Sequence, residues 1–265
     1  MSGLRALLLT AVFAGGSACA WSADEATPTD GKWLMMVVTR STDTTREADF
    51  NRWYDEIDIP DVLQVPGYQR ARRGHRVQSA DLPPAQGEDG TYVALYDIAS
   101  HNIDRTIIEM LMASRRMEAV GRSTALLKVT ERLYFRQHGA PVESATAPRT
   151  GRKTFLFLER VDCCRDAATG ERLDDWYDVR HIHDMLRTPG FVRATRYELY
   201  RVLMIEPQSA PRYLTVYEAS ADSAEQIVAA RRLTLNALSA QGRLSELFVE
   251  HGSALFQQIN DVSAR

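Results

Sequence analysis

The chain has 265 residues, of which 45% are apolar and 25% are charged, with a formal net charge of −3. This composition is typical of globular proteins and excludes collagen-like, coiled-coil and intrinsically disordered chains. The near balance of 32 basic and 35 acidic side chains leaves no basic excess for binding nucleic acid or an anionic membrane, so we expect a small-molecule or protein partner.

Residues 1–20 have the pattern of a secretory signal peptide. A nine-residue apolar stretch follows one arginine and is too short to cross a bilayer, which takes about 20 residues. Ala18 and Ala20 have cleavage-site spacing, which predicts a periplasmic or secreted protein that begins at Trp21. The alternative is a lipoprotein anchor at Cys19. No later stretch is long and apolar enough to predict a membrane span.

Cleavage after residue 20 would leave only the adjacent cysteines Cys163 and Cys164. Adjacent cysteines close only a strained ring, and the His/Cys spacing of a zinc site is absent. Two interpretations stay open for this pair: inert loop thiols, or a vicinal or intermolecular disulfide.

A sixteen-residue segment occurs twice. Residues 53–68, WYDEIDIPDVLQVPGY, recur as residues 176–191, WYDVRHIHDMLRTPGF, with eight identical positions at an offset of 123. This repeat predicts two homologous halves, residues 31–139 and 152–260, joined by a linker at residues 140–151.

Each half is predicted to fold as β-α-β-β-α-β. Its first strand is an apolar run, residues 33–38 and 154–159, which match at an offset of 121. The repeated segment forms an amphipathic helix that a Pro-Gly pair ends. The other predicted strands are residues 68–73, 92–98 and 127–135, then 191–203, 213–219 and 244–256. The second helices carry Ile103, Ile107, Leu111 and Ser114 in the first half, and Val228, Leu235 and Leu238 in the second, at the spacing of an amphipathic helix.

This element order predicts an α+β fold class. A β-α-β-β-α-β unit makes a four-stranded antiparallel sheet with both helices on one face. The other face is apolar and must be covered, because a large exposed apolar surface is unfavourable. Two tandem ferredoxin-like units solve this by packing sheet to sheet as an intramolecular α+β barrel, with the helices outside.

The repeat resembles the signature W-Y-x-x-H-x-P-x-x-L-x-x-P-G-[FY] of dimeric α+β barrel proteins, particularly their EthD-like branch, and the chain is similar to a tandem fusion of two such units. That superfamily includes cofactor-free monooxygenases, polyketide cyclases, decarboxylases, muconolactone-type isomerases, haem-dependent enzymes and proteins with no known activity. The signature's histidine falls on His181, where the first half has Asp58. Its proline falls on Pro60, where the second half has His183.

The candidate catalytic residues are His181, Tyr177 and Asp178. Helical spacing puts Tyr177 and His181 on one face, as it does Tyr54 and Asp58. A neutral imidazole beside a phenol suits proton transfer near pH 7. Asp178 lies three residues before His181, near enough to orient or charge the ring. The alternative role for His181 is a cap of the helix C terminus.

The candidate substrate-binding residues are Tyr54, Asp58, His183 and Arg193. A strand arginine such as Arg193 can bind a carboxylate or phenolate bidentately, or can be solvated. The ordinary pKa of an aspartate, about 3.9, keeps Asp58 ionised at pH 7 unless it is strongly desolvated. We therefore expect the second half to carry most of the catalysis.

The sequence thus favours an exported enzyme without a cofactor or metal, which uses His/Tyr acid–base chemistry of the lyase, isomerase, cyclase or decarboxylase type on a small aromatic or polyketide-like molecule. Phosphate-binding loops, nucleophile elbows and zinc motifs are absent from the sequence. One alternative is a non-catalytic small-molecule-binding or stress-related barrel protein. Another is a haem-dependent member of the superfamily, with His251 as a candidate ligand. Further homodimerisation stays open.

The signal-peptide pattern predicts a mature N terminus at Trp21. Mass spectrometry of the protein recovered from its native compartment should find this residue first. Full-length protein that starts at Met1 in the cytosol would contradict export, and a lipid on Cys19 would support the anchored alternative.

Overall fold

The computed structural model describes residues 31–79, 81–82, 92–145, 151–162, 166–205 and 210–264. The signal-peptide prediction and the cysteine pair Cys163 and Cys164 lie outside these ranges, as does the side chain of His251.

The described part of the first half contains four strands and helices in the predicted order. The strands are β1 (Lys32–Ser41), β2 (Tyr68–Arg76), β3 (Tyr92–Ala99) and β4 (Leu127–Glu143). The helical elements are a 3₁₀ turn (Thr44–Arg46), α1 (Glu47–Trp53), a π-helical turn (Tyr54–Asp58), α2 (Ile59–Val62) and α3 (Ile103–Ala119).

The second half repeats this order. Its strands are β5 (Lys153–Asp162), β6 (Phe191–Ile205), β7 (Tyr213–Ala221) and β8 (Val249–Ser263). Its helical elements are α4 (Ala167–Trp176), a π-helical turn (Tyr177–His181), α5 (Ile182–Met185) and α6 (Ala224–Ala240). None of the helices in the described ranges is long and apolar enough to cross a membrane.

The eight strands form one closed antiparallel barrel in the order β1-β3-β2-β8-β5-β7-β6-β4. The predicted α+β fold class is confirmed. Hydrogen bonds between β2 and β8 and between β4 and β6 join the two four-stranded sheets. Closure leaves neither sheet with an unpaired edge.

Side chains alternate between two environments along each strand, as the period of two requires. Leu34 and Met36 of β1 and Leu156 of β5 belong to the core inside the barrel. Met35 and Phe157 point the other way, into two outer cores between the sheets and the helices. The fold therefore has one shared inner core and one outer core for each half.

The strand pairing corrects the alignment of the two halves at β1 and β5. Val37 pairs with Ala94, and Glu159 pairs with Thr215. Ala94 and Thr215 correspond at an offset of 121, so Val37 corresponds to Glu159, at 122 rather than the predicted 121. A shift of one residue turns every side chain of a strand to its other face. Glu159 consequently points towards the helices and not into the barrel.

Long-range pairing also moves the ends of the last strands. β4 continues to Glu143, into the segment predicted as a linker, because Val142 and Glu143 pair with β6. β8 begins at Val249 instead of residue 244. On α3 the predicted Ile103 and Ile107 are buried, but Met110 is buried next to them whereas the predicted Leu111 is 38% exposed.

The shared inner core predicts that residues 31–139 alone will not form a stable monomer. The isolated half would expose the inner face of its sheet and two strand edges, which favours aggregation. Size-exclusion chromatography and thermal unfolding of this fragment, beside the full chain, measure the effect. A soluble monomeric fragment with cooperative unfolding would contradict the expectation.

Candidate active site

Both halves place a π-helical turn within the repeated segment, at Tyr54–Asp58 and Tyr177–His181. In each, the backbone N–H of the residue after the turn donates to the carbonyl of the turn's first residue, five positions earlier. Such turns are rare and frequently occur at functional sites. The sequence analysis assumed a continuous α-helix here and did not predict the extra residue in the turn.

A fully buried arginine holds this turn against the sheet in the first half. The guanidinium carbon of Arg73 lies 4.3 Å from the ring centre of Tyr54 and 4.4 Å from that of Tyr92. Arg73 also donates to Asn51 Oδ1 at 2.7 Å and to Asp55 Oδ1 at 3.1 Å. These contacts satisfy a charge that would be unfavourable to bury alone.

Arg196 makes the same arrangement in the second half. Its guanidinium carbon lies 4.5 Å from the ring centres of both Tyr177 and Tyr213. It donates to Asp174 Oδ1 at 2.5 Å and to Asp178 Oδ1 at 3.1 Å. The predicted catalytic residue Asp178 thus belongs to the arginine's ion pair.

Three predicted site residues do not contact the imidazole of His181. Asp178 has His138 Nε2 as its second neighbour, at 3.2 Å, in place of His181 as predicted. His183 is exposed on α5. Arg193 forms an ion pair of 3.3 Å with Glu143 and lines a polar pocket where the strands end. The structure does not bring these three residues together around the imidazole.

The carboxylate beside His181 is Glu159, which the sequence analysis missed. His181 Nε2 lies 3.2 Å from Glu159 Oε2, and the Tyr177 hydroxyl donates to the same oxygen at 2.5 Å. The imidazole is 1% exposed and is stacked on Trp176, with ring centres 4.7 Å apart, and Phe248 covers it at 4.9 Å. The predicted pair Tyr177 and His181 is therefore brought together by a shared buried anion.

Glu159 is fully buried but ionised. Burial by itself would raise its pKa, but the neighbouring His181 and its hydrogen bond, with the charge of Arg231, lower the pKa to about 2. An Arg231 guanidinium nitrogen lies 3.5 Å from Glu159 Oε1 and donates to Glu250 at 2.9 Å. The cluster in the second half consequently pairs its charges with one another.

Two sequence signals point to this cluster in retrospect. Glu159 ends an apolar run at a position that alternates with Phe155 and Phe157 on the outer face of β5. Arg231 shares the buried stripe of α6 with Ile227 and Leu238. A charged residue at a periodic apolar position is a signal for a buried ion pair, since burying one charge without a partner is costly.

The first half encloses a cavity of about 120 Å³ between the π-helical turn, α3 and the sheet. Its charged and phenolic lining side chains are Tyr54, Asp58, Tyr96 and Arg132. The remaining lining is mainly apolar and includes Met35, Val37, Trp53, Val62, Met110 and Met117. Two predicted substrate-binding residues, Tyr54 and Asp58, thus face the same cavity.

Desolvation dominates the electrostatics of Asp58. Burial raises the pKa of its carboxyl to about 6, although a hydrogen bond from Tyr96 and the charges of Arg132 and Arg73 favour the anion. The Tyr96 hydroxyl donates to Asp58 Oδ2 at 3.2 Å. Burial and the charge of Asp58 raise the pKa of Tyr54, so this phenol stays neutral. The ordinary aspartate pKa assumed from the sequence does not hold here.

Residue types differ between the two halves at three corresponding positions around the first-half cavity. The corresponding positions are Val37, Met110 and Arg132 in the first half and Glu159, Arg231 and Ser253 in the second. The second half therefore has an acid and a base that pair internally. In the first half Arg132 lines the cavity, and its buried Nε has no hydrogen-bond partner among the described residues.

No protein-family model and no curated protein matches the sequence. An anthrone oxidase-like protein has a similar structure, with a TM-score of 0.53, 11% identity and coverage of 89% of this chain and 94% of that chain. A monooxygenase-like protein from Fusobacterium nucleatum subsp. nucleatum is also similar, with a TM-score of 0.52, 7% identity and coverage of 89% of this chain and 95% of that chain. At these identities the similarity supports the α+β barrel fold alone. The EthD-like branch and the tandem fusion stay predictions.

Asp58→Asn is expected to stabilise the protein at neutral pH. The folded-state pKa near 6 lies above the unfolded value near 3.9, so the penalty for ionising Asp58 develops as pH rises from about 4 to 6. The variant should gain about 1–2 kcal/mol at pH 7.5 and little at pH 4.

Urea unfolding of both proteins at the two pH values measures this gain. Asp49→Asn is the matched control, because Asp49 is an exposed carboxylate on α1 and its replacement should change stability by less than about 0.5 kcal/mol at either pH. An Asp58→Asn variant that is less stable than the wild type at pH 7.5 would contradict the raised pKa.

Proposed function

We propose that this protein is an enzyme that uses Asp58 as a general acid or base on a small molecule, with Arg132 stabilising the negative charge that develops on it. One observation carries the proposal: a carboxyl whose pKa is raised to about 6 faces a small cavity beside a guanidinium. General acid–base catalysis is most efficient when the pKa lies near the working pH. A desolvated carboxyl with a charged neighbour in a cleft is typical of such sites.

Asp58 and Arg132 have separate roles in a proton transfer next to a carbonyl. Ionised Asp58 removes a proton from carbon, and the C–H electron pair moves into an enolate whose oxygen carries the charge. Arg132 then binds this oxygen, since guanidinium donors aimed at developing charge lower the barrier. Return of the proton from Asp58 to a different carbon completes an isomerisation, and loss of a neighbouring group completes an elimination.

The two tyrosines position the carboxyl. Tyr96 donates to Asp58 Oδ2 and therefore holds that oxygen, leaving Oδ1 to accept the proton. Tyr54 remains a neutral phenol and packs against Arg73, which ties it to the sheet. This reaction class needs no redox step, in line with the lyase or isomerase type favoured by the sequence.

Catalysis by His181 with Tyr177 remains the rival assignment within the same reaction class. Its support is the chain of contacts through Glu159, while the burial of the imidazole and its pairing with Glu159 favour a structural role. Export through residues 1–20 stays part of the proposal on the sequence pattern alone.

The residues around the first-half cavity do not fit a haem. The cavity measures about 120 Å³, whereas pockets for ligands of drug size measure about 300–1,000 Å³. Within the described ranges, no group of three His, Cys, Asp or Glu side chains is placed to hold a metal ion. The haem-dependent alternative named His251 of the second half, whose side chain lies outside the described residues, so it stays an untested prediction.

Deuterium exchange tests the proposal directly. Pyruvate, 2-oxobutyrate and acetone are incubated with the protein in D₂O, and NMR follows the loss of protons next to the carbonyl. The wild type should accelerate exchange, with a rate that rises through about pH 6. Asp58→Asn should lower this rate by about 10²–10⁴-fold, while His181→Ala should leave it within about threefold.

Two outcomes decide against the proposal. Full exchange by Asp58→Asn together with loss in His181→Ala would place the chemistry in the second half, as the sequence analysis predicted. Exchange by the wild type no faster than by buffer on all three compounds would contradict proton abstraction next to a carbonyl. Far-ultraviolet circular dichroism of each variant checks that the fold is retained.

A further inference from the structure

The first-half cavity is too small to enclose the whole of a substrate with an aromatic or long apolar part. Its volume of about 120 Å³ is less than the roughly 150 Å³ that holds one benzene molecule in a protein core. Only the reacting end of such a molecule can lie beside Asp58. The rest must occupy a neighbouring surface.

A large apolar groove lies on the outer side of the same wall. It runs between α3 and the segment that follows α2, and measures about 920 Å³. Ile108 and Met112 line it although they are 59% and 46% exposed. Exposed apolar side chains that cluster in a groove are typical of binding surfaces.

The groove and the cavity meet at Met117, which lines both. Three pairs of neighbours in the chain are also divided between them: Asp61 and Val62, Ala113 and Ser114, and Arg122 and Ser123. In each pair the first residue lines the groove and the second lines the cavity. The groove and the cavity therefore adjoin each other along α3 and the segments beside it.

In the second half a hydrogen bond crosses the corresponding gap. There the Thr188 hydroxyl donates to Thr234 Oγ1 at 3.0 Å and links the loop after α5 to α6. The repeat offsets place Val65 and Ala113 at these positions in the first half, and both line the groove. Val65 and Ala113 cannot form this bond, so in the first half the ion pair of Arg122 with Asp61, at 2.6 Å, is the contact that borders the groove.

We infer that the substrate is amphipathic, with a small carbonyl or carboxylate head that enters the cavity at Asp58 and Arg132 and an alkyl or aromatic body that passes Met117 and lies in the groove. This inference rests on the proposed function, because the head is placed by the acid–base site. It names the class of substrate that the same site accepts.

Calorimetric titration of the full chain with straight-chain carboxylates from butyrate to decanoate tests the inference. Each CH₂ that enters the groove should lower the Kd by about two- to fourfold. Met112→Glu and Ile108→Glu should abolish this dependence on chain length.

Leu233→Glu is the matched control. Leu233 occupies the position of Met112 on α6 and is 66% exposed, so its replacement should leave the chain-length dependence intact. A wild-type Kd that does not change with chain length would overturn the inference, as would equal loss in Leu233→Glu. Deuterium exchange by Asp58→Asn reports on the acid–base site separately, so failure of one proposal is distinguishable from failure of the other.

Discussion

A buried arginine between two tyrosine rings holds the helices of each half onto the barrel. Arg73 and Arg196 are 0% and 1% exposed, and such charges are tolerated only with close partners. Their acceptors lie on the first helix of each half and in the π-helical turn, and the ring of the turn's first tyrosine covers each guanidinium. The position of the turn over the sheet, and with it the space beneath, depends on this clamp.

The same arginine contacts occur above different buried polar groups in the two halves. In the second half the substitution of Val37 by Glu159 introduces an anion, and His181 and Arg231 lie against it. In the first half Asp58 has a phenol and a more distant guanidinium as its polar neighbours, so desolvation prevails and its pKa rises. One half has compensated its buried charges, whereas the other retains a carboxyl that titrates near neutral pH.

The fold was predictable from the sequence because its signals are local and repeated. Apolar runs, Pro-Gly stops and the sixteen-residue repeat predicted the element order and the α+β barrel. Tyr54 and Asp58 were also correctly predicted to share one face of the helix. The contacts of Asp178 were not predictable, because Arg196 lies on a strand 18 residues later in the chain. Glu159 was missed because the sequence alignment of β1 with β5 was wrong by one residue, which places Glu159 on the barrel side of the sheet instead of the helix side.

The comparison of Asp58 with His181 shows why residue type alone misassigns such a site. Imidazole titrates near neutral pH in water, so a sequence argument favours histidine for proton transfer. A carboxyl reaches that range only when burial removes its hydration, which depends on the side chains that other elements pack around it rather than on its own identity. Burial of this carboxyl costs stability, and the β2–β8 and β4–β6 pairs make both halves parts of the one closed barrel that carries this cost. A fold of two unequal halves can thus retain an unfavourable carboxyl in one of them, because strands of both halves build the inner core that opposes its cost.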